Sequence, residues 1–123
     1  LFEASPDTAR YQRAADVCIL TSRNEGTPQA MIEAMGLGKC FAGFDVGGMR
    51  DVLGEYPGGR LVPFGETEAL AAAVRELLDG AGVKAEDAEV ARRRFDADRM
   101  AAKVAALYEE LVSSRGARHR GRR

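Results

Sequence analysis

Apolar residues follow two rhythms along this chain. Val17-Cys-Ile-Leu-Thr21 and Cys40-Phe-Ala-Gly-Phe44 are short unbroken runs, the pattern of strands buried on both faces of a parallel sheet. Leu61-Val62 is a third, weaker strand, closed by Pro63 and Gly65. Between and after these runs the apolar spacing becomes helical. Ala30, Met31, Ala34 and Met35 form one such stripe, and positions 70, 74, 77 and 78 form another. A last stripe combines Met100, Val104, Leu107, Tyr108 and Leu111, with Asp96 as its cap. Met49 to Leu53 predicts a short helix, and Ala85 to Phe95 a further one.

Start and stop signals divide these segments. Ser5-Pro6-Asp7-Thr8 reads as a helix start, with Ser as cap and Pro at the first helical position, and the helix is expected to reach Ala15. Thr27-Pro28 repeats that signal before the second helix, which the glycines at 36 and 38 end. Glu66 to Asp79 is stopped by Gly80 and Gly82. Strands alternating with helices predict an α/β fold with a partial Rossmann-like parallel sheet. Three strands leave a long apolar edge without a neighbour. The expectation is therefore a piece of a longer chain in which further strands complete the sheet. Leu1 in place of Met, with no charged-then-apolar leader, fits that expectation.

At 123 residues the chain fits one domain. No apolar run approaches the roughly 18 residues that a membrane span needs. Cys18 and Cys40 both lie in strand-like runs, so each is expected to be a buried thiol acting as a small hydrophobe. That use of cysteine fits a reducing, cytoplasmic setting. The whole chain carries −1 and its last nine residues carry +5, which leaves −6 for the body. The expected division is a folded part over 1–114 and a basic, disordered tail over 115–123. Such a tail reads first as a solvated end, with peripheral contact with the inner face of a membrane as the alternative. The acidic body argues against nucleic acid as a partner.

Chemistry concentrates between Glu25 and Glu33, where the chain leaves a strand, crosses a polar loop and opens a helix. Ligands of α/β sheets bind beyond the carboxyl ends of the strands. A helix start offers free N–H groups and partial positive charge to a phosphate, and here those amides belong to Gly26, Thr27, Gln29 and Ala30. Glu25 stands ahead of them and Glu33 lies one to two turns along the helix. A carboxylate accepts paired hydroxyls well, so these two suit a sugar and a ribose on either side of a diphosphate. By spacing alone the ordinary reading of both glutamates is a solvated side chain, with a binding site as the sharper alternative.

The segment Glu25-Gly-Thr-Pro-Gln-Ala-Met-Ile-Glu33-Ala-Met resembles the E-x7-E signature of family 4 (group 1) retaining glycosyltransferases, in the variant E-G-T-P. Three flanking segments are similar in register: Ala15-Asp-Val-Cys-Ile-Leu-Thr-Ser-Arg23, Asp45-Val-Gly-Gly-Met-Arg-Asp-Val-Leu53 and Gly58-Gly-Arg-Leu-Val-Pro-Phe-Gly-Glu-Thr-Glu-Ala-Leu70. The resemblance spans residues 5 to 112 and implies the carboxyl-terminal part of a GT-B donor-binding domain. It departs from the family's usual residues at Cys40, Phe44 and Asp51.

What the resemblance implies is specific. Glu25, Gly26 and Thr27 hold the donor sugar, Gln29 and Ala30 take the diphosphate through their main chain, and Glu33 holds the ribose. The donor is a UDP- or GDP-hexose, transferred with retention, without metal or cofactor. Catalysis is incomplete in this chain, because the family's Arg and Lys that neutralise the leaving diphosphate lie upstream. So does the acceptor domain. The isolated chain is therefore expected to be inactive. Two other readings remain open: a nucleotide-sugar-binding module, or a non-catalytic remnant. A dinucleotide-binding dehydrogenase lacks its Gly-x-Gly-x-x-Gly turn, which neither Gly36-Leu-Gly38 nor Gly47-Gly48 provides.

Overall fold

The computed structural model describes residues 7–120, with the side chains of 115–120 left aside. It divides into two compact units, residues 1–92 and 93–123. The first unit holds a three-stranded parallel sheet of order β1-β2-β3, formed by β1 (Val17–Leu20), β2 (Cys40–Phe44) and β3 (Gly59–Val62). Val17 pairs with Cys40, and Phe41 with Gly59, so β1 and β2 start level and β3 starts one residue along β2, all in parallel register. Helices α1 (Thr8–Ala14), α2 (Gln29–Gly36), α3 (Met49–Leu53), α4 (Thr67–Asp79) and α5 (Ala85–Arg94) follow the strand order, with α5 running across the boundary.

The sheet is covered on both faces, as the unbroken apolar run of β2 requires. Cys40, Ala42 and Phe44 pack on Leu70 and Leu77 of α4, with Val17, Val62, Val74 and Val83 closing the edge of that layer. The alternate residue Phe41 belongs to the other face, where Met31 and Met35 of α2 and Met49 of α3 are fully buried. Every residue of β2 is buried, but β1 is only half-buried and Ile19 is 52% exposed. The expectation of a fully buried first strand is corrected accordingly. Among the described residues β1 has one neighbour, β2, so its outer edge and part of one face stay open.

Alternation also separates the cysteines. Cys18 pairs with Phe41 and Cys40 with Val17, so the two thiols lie on opposite faces of the sheet. Both are free, and burial pushes the Cys18 thiol above its ordinary value.

Element ends follow local chemistry. Asp7 caps α1 by accepting from the Arg10 amide at 3.2 Å; Ser5 and Pro6, expected to start the helix, lie outside the described residues. α1 ends at Ala14, α4 begins after Glu66, and α5 ends at Arg94, each within one residue of expectation. β3 begins at Gly59, two residues earlier than Leu61. Arg60 and Glu76 join β3 to α4 through a two-pronged ion pair at 2.7 and 3.0 Å, which lowers the Glu76 pKa.

Tyr56 ties the layers together after α3. Its ring is buried, and its hydroxyl donates to the Lys39 carbonyl at 2.9 Å. Burial holds its pKa well above 10.0. Ionisation is thus easier in the unfolded chain, so this residue's contribution is complete below pH 10.0 and is lost as pH rises beyond it. Tyr56→Phe should cost about 1 kcal/mol at neutral pH and remove part of the alkaline loss, read from urea midpoints at pH 7 and 10.5.

The second unit contains α6 (Ala97–Arg120), capped by Asp96, whose carboxylate accepts from the Arg99 amide at 2.8 Å. The helical backbone continues through the first part of the segment expected to be disordered, because each added residue gains a hydrogen bond once a helix is nucleated. The stripe formed by Met100, Val104, Leu107, Tyr108 and Leu111 is solvent-exposed. Among the described residues no helix is long and apolar enough to cross a membrane.

Candidate functional site

Two loops leave the carboxyl ends of neighbouring strands and meet. One follows β1 and covers residues 21–28; the other follows β2 and covers residues 45–48. The first is anchored by Pro28, which is fully buried. Pro28 also corrects the expected helix start. Thr27 is not the cap: Pro28 stands at the cap position with an extended ψ of 94°, and α2 begins at Gln29. The proline ring fills the core there, and its carbonyl accepts from the amides of Met31 and Ile32 at 3.1 and 3.2 Å. The amides of Gly26, Thr27, Gln29 and Ala30 donate to no other described residue. An anion at the start of this eight-residue helix would meet free donors.

The second loop is shaped to receive the first. The Gly48 amide donates to the Glu25 carbonyl at 2.9 Å. Gly47 has φ of +51°, and a Cβ built on it would overlap the Glu25 carbonyl. A Cβ on Gly48 would overlap the Gly26 carbonyl. The Glu25-Gly26 main chain therefore lies directly on the glycine turn, at a distance that side chains forbid. The turn is itself fixed from both sides. The Asp45 amide donates to the Val62 carbonyl at 2.7 Å, and the Asp45 carboxylate pairs with Arg50 in α3.

The two glutamates are held differently. Glu25 is half-buried, and its carboxylate accepts no hydrogen bond from a described residue. Glu33 is exposed, and its Oε2 accepts from Gln12 Nε2 at 2.9 Å and from Thr8 Oγ1 at 3.4 Å. No hydrogen bond joins Glu25 to Glu33 among the described residues. One is tied through its main chain to the glycine turn, the other through its side chain to α1.

Sequence reasoning named six residues of this segment but gave no supporting role to Gly47, Gly48, Thr8 or Gln12. Gly-Gly after a strand was a legible turn signal. Thr8 and Gln12 stand four apart, on one face of a helix, which was visible, but their partner lies more than twenty residues away.

Among the described residues no group of three or more His, Cys, Asp or Glu side chains converges. A second cleft, of about 270 Å³, lies at the amino ends of the strands, between Asp16, Lys39, Cys40, Leu77, Gly82 and Val83. It is at the wrong end of the sheet for the usual ligand position, and neither the Glu25 to Glu33 segment nor Gly47, Gly48, Thr8 or Gln12 lines it.

Comparison with known proteins bears on the family and the fold. Residues 2–80 match the family model described as glycosyl transferases group 1. The chain is 35% identical over 104 residues to a 2-deoxystreptamine N-acetyl-D-glucosaminyltransferase of Streptomyces fradiae, covering 85% of this chain and 21% of that protein. It is 32% identical over 110 residues to a D-inositol 3-phosphate glycosyltransferase of Thermobispora bispora, covering 87% and 26%. Its fold is similar to that of sucrose-phosphate synthase from Thermosynechococcus elongatus, with a TM-score of 0.73 and 30% identity over 85% of this chain and 27% of that one. The chain thus spans about a quarter of the length of the proteins it matches.

Proposed function

The chain belongs to the group 1 glycosyl transferases, with the α/β architecture of a GT-B domain, and from that premise we propose that it forms one wall of a nucleotide-sugar donor site. The observation that carries this reading is the seating of Glu25-Gly26 on the Gly47–Gly48 turn, beside the unengaged amides that open α2. That arrangement fixes the main chain of the half-buried Glu25 next to a row of N–H donors. A sugar whose hydroxyls meet Glu25 would bring its diphosphate toward Gln29 and Ala30. Glu33, further along the same helix, would then face the ribose.

In the proposed reaction the anomeric carbon exchanges its bond to a diphosphate oxygen for one to an acceptor oxygen, with retention. The donor is a UDP- or GDP-linked hexose, and the reading assigns the transfer no metal or cofactor. The charge that builds on the departing diphosphate needs more than helix amides, since stabilising such charge is usually a large catalytic term. In the resemblance that role falls to an Arg and a Lys upstream, where the acceptor domain also lies. The basic segment from Arg115 onward supports peripheral attraction to an anionic membrane face on charge grounds alone.

The expected result is that the 123-residue chain alone transfers no sugar, while the full-length protein does. A transferase assay with UDP-hexoses and GDP-hexoses on both proteins checks this. Turnover by the isolated chain would refute the division of the site into two walls. A full-length protein that binds the nucleotide sugar without turnover would favour a binding module.

A further inference from the structure

Glu33 is exposed, and an exposed carboxylate on a helix ordinarily samples several rotamers in water. Here it does not stand alone. Thr8 and Gln12 occupy one face of α1 and both donate to the same oxygen, Glu33 Oε2, at 3.4 and 2.9 Å. An ionised carboxylate has about four acceptor positions, two on each oxygen. Two donors fill those of Oε2. Oε1 accepts nothing from a described residue and is left for a ligand.

The state of Gln12 strengthens the point. Its Oε1 is buried and accepts no hydrogen bond. A buried acceptor without a donor carries a desolvation cost, and buried polar groups normally avoid it. Turning the amide over would bring that oxygen against the Glu33 carboxylate, so the carboxylate fixes the amide and the amide fixes the carboxylate. The Asp7 cap holds the first turn of α1, from which Thr8 projects.

We infer that Gln12, supported by Thr8, is a positioning residue that fixes the Glu33 carboxylate so that its free oxygen meets the ribose diol of a nucleoside diphosphate. The inference rests on the donor-site reading and deepens it. α1 becomes the outer rail of the nucleoside end of the site, although neither of its two residues touches the ligand.

The test is discrimination between ribose and deoxyribose, which a merely structural role would not move. Calorimetric titration of the full-length protein with UDP, 2′-deoxy-UDP, GDP and 2′-deoxy-GDP gives the ratio of affinities. The wild type is expected to prefer the ribonucleotide of the pair it binds. Gln12→Leu should reduce that preference about fivefold, the scale of one weakened charged hydrogen bond, with deoxynucleotide affinity kept within about twofold. Thr8→Val should act in the same direction and less strongly, and it keeps the test open should the leucine variant fold poorly. An unchanged ratio in both variants overturns the inference while leaving the donor site intact. So does an equal loss for both sugars. A wild type that shows no ribose preference, or binds neither nucleotide, overturns the inference together with the ribose role of Glu33.

Discussion

Gly47→Ala is expected to lower stability by about 2–3 kcal/mol and to weaken donor binding beyond what that loss explains. Two costs combine. The backbone there has φ of +51°, a conformation that costs an L-residue about 1–2 kcal/mol. The new methyl would also overlap the Glu25 carbonyl, and relief requires the 21–28 loop to lift from the turn. Lifting it breaks the bond from the Gly48 amide to Glu25, which contributes about 1 kcal/mol. Gly82→Ala is the internal control. Its φ of +73° carries a similar backbone penalty, but a Cβ there meets open space. Urea midpoints should therefore shift in both variants, and donor affinity in Gly47→Ala alone. Equal donor affinity in the two would mean that the turn does not seat the Glu25 loop.

Glu33→Ala should have the opposite profile. The side chain is exposed and so are its hydrogen bonds from Gln12 and Thr8, so stability should change by less than about 0.5 kcal/mol. Hydrogen bonds from hydroxyls to a carboxylate contribute about 1.5–3 kcal/mol, so nucleotide affinity should fall about 10- to 100-fold. Titration of UDP and GDP against the full-length protein checks this. Unaltered affinity for both would remove Glu33 from the site. A profile of lost binding with preserved folding is the signature of a ligand contact, whereas Gly47→Ala couples the two losses.

The two profiles follow from what was legible in the residues and what was not. Cys40 to Phe44 announced a buried strand because unbroken apolar runs have few other homes. Met49 to Leu53 was bounded by its own glycines, and α3 has those limits. Local signals failed where tertiary packing overrode them. Thr27 had the chemistry of a cap, but the ring of Pro28 went into the core and took the cap position with it. Ile19 looked buried, but its strand lies at an open edge.

In the candidate site, the residues of the Glu25 to Glu33 segment were legible and their supports were not. Spacing along one loop and helix makes Glu25 and Glu33 plausible partners for a ligand, and it is the family resemblance that singles them out. The glycine turn is about twenty residues from the carbonyl it supports, and Gln12 is as far from Glu33. Such pairs are created by the parallel crossovers of the sheet, which bring successive loops and helices side by side. No local periodicity encodes them.

The central claim is that Glu25 to Glu33 recognises a nucleotide sugar by its two ends. Calorimetry on the full-length protein, comparing Glu25→Ala with wild type against UDP-hexose and GDP-hexose and against UDP and GDP, tests it most directly. The account predicts that Glu25→Ala weakens the sugar nucleotide about tenfold or more, the scale of one charged hydrogen bond, and leaves the free nucleotide within about twofold. Equal loss for both, or no loss for either, would contradict it.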